Sequence, residues 1–186
     1  MSLFKKLQER LLPTPTIVAA PIFTTPNEVK HEFRNFSMSY RIGILCYFTD
    51  YDSQEVISNY KKELERLGYE CDVLLFIDKK ERENNIYLQS FSWDDLDKSM
   101  MPNSPRTDRF MVKRYDLLFN LFIQPSPQLI YVATCSHAKC RVGLLHDELK
   151  SCSDLLLPIE QEPSVELMIK KINELLKLKP YERKQI

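Results

Sequence analysis

The run from Tyr115 to His146, YDLLFNLFIQPSPQLIYVATCSHAKCRVGLLH, constrains the fold of this chain more than any other stretch. It reads as a buried strand over Tyr115–Phe122, a helix opened by Ser126-Pro127, and a second buried strand over Cys140–Leu145. A tight turn joins antiparallel strands, whereas parallel neighbours need a crossover of this length, so the run is a βαβ unit in a parallel sheet.

The rest of the chain extends that unit. Arg41–Phe48 is a continuous apolar run, as a central parallel strand should be. Asp52 is placed to cap the next helix, with Glu55 three residues on. Val56, Ile57, Tyr60, Leu64 and Leu67 form the buried face of that helix, and Gly68 ends it. Asp72–Ile77 reads as the second strand and Ile86–Phe91 as a third. A helical turn or two is expected over Thr107–Lys113, a short strand over Asp154–Leu157, and a last helix from Ser164 that buries Met168, Ile172 and Leu176. The expected fold is a three-layer, Rossmann-like α/β sandwich whose mostly parallel sheet has five or six strands.

Residues 1–39 differ in character from 40–186, which read as one α/β domain. Leu3, Phe4, Leu7 and Leu11 recur at helical spacing, so 2–12 reads as an amphipathic helix. Pro13, Pro15, Pro21 and Pro26 then break a Thr-rich arm. Ile17, Val18, Ile22, Phe23, Phe33 and Phe36 are too many apolar residues for a free tail. The arm is therefore expected to pack on its own domain or on a second copy of the chain.

Composition excludes several function classes. Lys+Arg and Asp+Glu balance at 26 each, which leaves no basic excess for nucleic acid. No stretch is long and apolar enough to be a membrane span. Charges interrupt the first residues, so no secretory signal is expected there, and the expected compartment is the cytoplasm. Five cysteines sit mostly inside predicted elements and read as reduced, buried thiols.

The chemistry-bearing patterns are few. Only Gly43, Gly68 and Gly143 exist, whereas a dinucleotide fingerprint needs a glycine cluster where backbone meets pyrophosphate. The first strand instead runs into Thr49-Asp50-Tyr51-Asp52-Ser53, whose carboxylates repel a phosphate at the helix start. No cofactor is expected. Cys135-x-His137-x-x-Cys140 lacks the second pair of ligands that a zinc knuckle uses. Cys135 and His137, two apart on a helix, point about 200° away from each other and make a poor nucleophile–base pair.

Carboxyl ends of parallel strands are the default ligand site, which here means Thr49, Asp50, Asp78, Asn120, Gln124, Ser126 and His146. Four ligand-binding candidates follow. Asn120 lies in a buried strand and is either a satisfied core amide or a ligand contact. Ser126 is either a plain N-cap or the start of an anion site, with no carboxylate nearby in sequence. Lys139 and Arg141 share one face by their period-2 spacing. They either cover a helix–sheet seam with their long stems or clamp an anion.

Tyr115, Asp116, Leu117, Leu118, Asn120 and Leu121, followed by Ser136, Ala138, Lys139, Arg141, Val142 and Gly143, resemble a pattern of small, uncharacterised bacterial proteins of unknown function. In that pattern a Phe/Tyr-Asp-Leu-Leu-apolar-Asp/Asn-Leu strand precedes Ser-x-Ala-Lys-x-Arg-Val/Ile-Gly. The same residues are similar to the N-terminal half of heptosyltransferase-type glycosyltransferases. That likeness implies a Rossmann-like sheet. Those enzymes hold most sugar-nucleotide contacts on a second domain for which 186 residues leave no room. Asn120 and Phe122 also replace the Asp and polar residue expected at that strand end. The expected function is a binding or regulatory module without catalysis of its own, engaging a protein partner or a small anion. The alternative is a glycosyltransferase-like domain that binds a sugar nucleotide.

Overall fold

Strand β1 (Arg41–Tyr47) lies at the centre of the sheet, paired in parallel with β2 (Glu70–Ile77) on one side and β4 (Leu117–Leu121) on the other. The computed structural model describes residues 29–78, 85–159 and 161–182. The expected helix over 2–12, most of the proline-rich arm and the charged loop after Asp78 lie outside these residues. Strands β3 (Ser90–Ser92), β5 (Cys140–Leu144) and β6 (Leu155–Leu157) complete one sheet in the order β3-β2-β1-β4-β5-β6, with every pairing parallel. The fold is a three-layer, Rossmann-like α/β sandwich.

Helix α1 (Tyr51–Arg66) follows β1, α2 (Pro105–Val112) follows β3, α3 (Pro127–Cys135) follows β4, and α4 (Val165–Leu176) follows β6. Helices α1 and α4 meet on one face, where the Tyr60 hydroxyl donates to Asn173 Oδ1 at 2.6 Å and the Tyr60 ring stacks over Phe119. Helices α2 and α3 meet on the other, with a 3₁₀ turn at Asp147–Cys152 against α3. Both faces of the sheet are thus covered, which is why β4 and β5 are buried at every position.

Local chemistry explains the element ends. Ser104, Ser126 and Ser164 cap α2, α3 and α4, and each accepts from the backbone N–H three residues on. Pro105 and Pro127 occupy first helical positions, where a missing N–H costs nothing. Helix α1 begins earlier than its sequence pattern indicates. Its cap is Asp50, whose Oδ1 accepts from Ser53 N at 2.7 Å, while the Ser53 hydroxyl reaches back to the Asp50 backbone. Asp52 sits inside the first turn. Gly68 follows the helix at φ 95°, which a side chain would strain. The third strand is shorter and later than Ile86–Phe91. Asn85 and Tyr87 are held by the first turn of α1, where Gln54 Nε2 donates to Asn85 O at 3.4 Å and Tyr87 N donates to Gln54 Oε1 at 3.2 Å, and the backbone meets β2 only from Gln89, whose O accepts from Leu75 N at 2.9 Å.

The globular unit reaches upstream of Tyr40. Phe36 is 0% exposed, with its ring 5.4 Å from Tyr69 and 6.0 Å from Phe119. Glu32 N donates to Lys139 O at 2.9 Å, which ties the end of the arm to the start of β5.

Candidate functional site

The strand order reverses direction between β1 and β4, so the crevice beyond their carboxyl ends is the topological switch point. Phe48–Asp50 lines one side and Ile123–Ser126 the other. On the β1 side, the Ser53 amide at the start of α1 is already occupied. Asp50 accepts the Ser53 amide, and the Ser53 hydroxyl accepts from Thr49 Oγ1 at 2.9 Å. The Ser53 amide, with help from the Ser53 and Thr49 hydroxyls, holds the Asp50 carboxyl below the usual carboxylate range. A fixed negative charge therefore stands where a dinucleotide fold places its pyrophosphate.

On the β4 side, the α3 start is also closed in. Ser126 is buried and accepts from Leu129 N, and its hydroxyl donates to Gln128 Oε1 at 3.1 Å. Gln128 Nε2 in turn donates to Met100 O at 3.1 Å, which draws the loop before α2 over the helix start. Met100 adopts φ 62° at that point.

Asn120 is 2% exposed. Its Nδ2 donates to Cys152 O at 2.8 Å and to Ser153 Oγ at 3.1 Å, so the amide joins β4 to the end of the 3₁₀ turn. Its Oδ1 is buried with no partner.

Lys139 and Arg141 lie at the opposite, amino end of the sheet. Lys139 Nζ donates to Asp116 Oδ1 at 2.9 Å. Arg141 forks onto Asp154, with Nε to Oδ2 at 3.0 Å and Nη2 to Oδ1 at 2.8 Å. The arm joins both pairs. His31 Nδ1 stands 3.2 Å from Asp154, and Arg34 bridges Glu32 and Asp116. Asp116 Oδ2 also accepts the amides of Tyr40 and Arg41. Of the four candidates, Asn120 and Ser126 are near the carboxyl end, and Lys139 and Arg141 are near the amino end, so no single pocket unites them.

The carboxyl end carries a second constellation. Tyr47 ends β1, Asp78 follows β2, and Trp93 follows β3. The Tyr47 hydroxyl donates to Asp78 Oδ2 at 2.7 Å, and Trp93 Nε1 donates to Asp78 Oδ1. Burial, then the hydrogen bond and charge of Asp78, push the Tyr47 phenol up, so it stays a donor. Sequence reasoning placed Asp78 at this edge but did not single out Tyr47 or Trp93. The usable signal was the chain's one tryptophan in the polar run Ser92-Trp93-Asp94-Asp95.

The five thiols are free, and four of them are buried. Burial pushes Cys71 up to about 12 and Cys46 higher still, and it raises Cys135, Cys140 and Cys152 as well. Among the described residues, no group of three or more His, Cys, Asp or Glu is arranged to hold a metal, and no helix is long and apolar enough to cross a membrane.

No curated protein matches the sequence. Among solved structures, the chain is similar to one described as a glycosyl transferase family 9 protein from Veillonella parvula DSM 2008, at 12% identity and a TM-score of 0.46. The match covers 76% of this chain and 42% of that one, so the chain spans less than half of that structure's length. A family model described as a family of unknown function, DUF6913, matches residues 23–178, and the chain belongs to that family.

Proposed function

We propose that this protein is a binding or regulatory module without catalysis of its own, which meets its partner at the carboxyl end of the sheet. The carrying observation is the Asp50 carboxylate on the amide of Ser53. An internal anion holds the place that a nucleotide phosphate occupies in dinucleotide folds of this topology. Two further features support the reading. The raised thiols supply no thiolate nucleophile at neutral pH. Tyr51, Trp93, Met100 and Leu145 stand exposed on segments that follow strands or cover their carboxyl ends, and they supply apolar side chains for a contact there.

A thermal-shift panel tests this. Ligands that bind only the native state raise stability by mass action. The expected result is an unchanged melting temperature with nicotinamide dinucleotides, nucleoside diphosphates and nucleotide-sugars at millimolar concentration. Stabilisation by several degrees with a nucleotide-sugar overturns the reading in favour of a transferase-like domain.

A further inference from the structure

The Tyr47–Asp78–Trp93 constellation is built on three adjacent strands. Tyr47 pairs in register with Phe76, and Phe76 with Phe91, so the three rings form a row on one face of the sheet. Phe76 meets Tyr47 edge-on at 5.7 Å and lies 4.8 Å from Phe91. Asp78 and Trp93 follow two residues after Phe76 and Phe91, just past the ends of β2 and β3, and their hydrogen bond, with that of Tyr47, brings them together. They form the next rung, at the mouth of the sheet.

Two aromatic donors point their polar edges at one carboxylate. Hydrogen bonds from a phenol and an indole lie near the ring planes, so the ring faces flank the charge and are not turned toward it. Trp93 is 41% exposed although its N–H is satisfied. Part of the Trp93 side chain is therefore open to solvent beside a negative charge.

The charge itself is the second observation. At the amino end of the same sheet, Asp72, Asp116 and Asp154 are each paired with Lys, Arg or His. Asp78 is held by neutral donors, and among the described residues no cationic side chain forms an ion pair with it. A clip between strand ends needs no carboxylate, because an amide or hydroxyl joins them without leaving a net charge at the surface. A carboxylate with aromatic faces beside it attracts a cation through both its charge and the ring quadrupoles. Asp50 and Asp52 at the start of α1 and Asp94 in the 3₁₀ turn Trp93–Asp95 add negative charge at this end of the sheet, while Lys79, Lys80 and Arg82, which follow Asp78 in sequence, lie outside the described residues.

We propose that Tyr47, Asp78 and Trp93 form a recognition site for an organic cation of alkylammonium or guanidinium type. The proposal rests on the binding-module reading and names the chemistry of the group bound. Each carboxylate oxygen keeps a lone pair beyond the one its aromatic donor uses. A guanidinium can stack on the indole while donating to those lone pairs, and a quaternary ammonium uses the charge and the ring faces alone.

The full-length chain has one tryptophan, so its emission reports on this site directly. The probes are tetramethylammonium chloride and N-acetylarginine methylamide. The controls are sodium chloride at matched ionic strength and the neutral isostere N-acetylcitrulline methylamide. The expected result is a saturable change in Trp93 emission with the cations, at least about tenfold weaker with the neutral isostere, and about fivefold weaker in Asp78→Asn. A stronger response to tetramethylammonium assigns the site to a free quaternary amine, and a stronger response to the arginine derivative assigns it to a partner's side chain. Equal responses to the arginine and citrulline derivatives overturn the proposal, as does reproduction by sodium chloride or no response at all. The isostere comparison uses the unmutated protein, so it decides even where Asp78→Asn unfolds. Silence here together with a silent nucleotide panel removes this ligand class only, whereas nucleotide stabilisation removes the module reading.

Discussion

A Cβ placed on Gly143 would stand 2.3 Å from Ser153 Oγ, the same hydroxyl that accepts from Asn120 Nδ2 at 3.1 Å. Glycine at this point of β5 lets the chain before β6 close against the sheet. Gly143→Ala forces Ser153 aside and breaks the bond that holds Asn120, and Asn120 Cβ lies only 3.3 Å from the new methyl. The expected loss is about 2 to 3 kcal/mol by urea denaturation. A change below about 0.5 kcal/mol contradicts the close approach.

The amino-end ion pairs set the acid response. Burial raises the Asp154 carboxyl, but the Arg141 hydrogen bonds and charge outweigh it and hold it below the usual range. Burial likewise raises Asp116, and the Tyr40 and Arg41 amides with Lys139 bring it down. A depressed folded value means that the unfolded chain binds more protons in the window between the two values, so stability rises with pH there. The contribution of these groups is complete above the unfolded value, about pH 4, and is lost as pH falls through the folded values. Urea midpoints measured from pH 7 to pH 2 should fall in that acid range and fall less steeply in Asp154→Asn.

Arg141 is 10% exposed and Asp154 22% by side chain. Arg141→Met strands a partly buried carboxylate and should cost about 2 to 3 kcal/mol at neutral pH, a loss that Asp154→Leu in the same chain partly restores. A double variant no better than the single one removes the pair as a unit of stability.

Phe36 anchors the end of the arm in the core, whereas Phe33, expected from the sequence to pack, stands 60% exposed. Phe36→Ala should cost about 3 to 4 kcal/mol. Deleting residues 1–39 removes the same ring and the Glu32–Lys139 backbone bond, and should lower the melting temperature at least as far. A truncated chain that melts with the full one contradicts this placement.

Thiol labelling at neutral pH should be slow for Cys46, Cys71, Cys140 and Cys152, all buried. Cys135, at the end of α3 and partly exposed, should react first. Labelling of Cys46 ahead of Cys135 under native conditions contradicts the burial order.

The βαβ unit at Tyr115–His146 was legible because long apolar runs and a Ser-Pro helix start act locally. The ends of these strands were less so. Tyr115 and Phe122 are as buried as β4 itself, and burial alone does not mark where ladder hydrogen bonds stop. Strand β3 is three residues, too short to show a period, and its place is fixed by Phe91 against Phe76. Asp50 and Asp52 both suit a cap, and only the backbone at Tyr51 chooses between them. The partners of Lys139 and Arg141 lie 23 and 13 residues away and depend on strand order. Tyr47, Asp78 and Trp93 converge only once β3, β2 and β1 are known to be neighbours.

Strands β3 and β6 close the two sides of the sheet with three residues each. Among the described residues, another chain that tried to lengthen the sheet would find about 10 Å of edge backbone on either flank, too little for a stable added strand. Such stubs offer a second copy of this protein little backbone to zip onto. A substitution on a loop or helix surface, by contrast, changes a side chain that another molecule can meet without touching the backbone ladder.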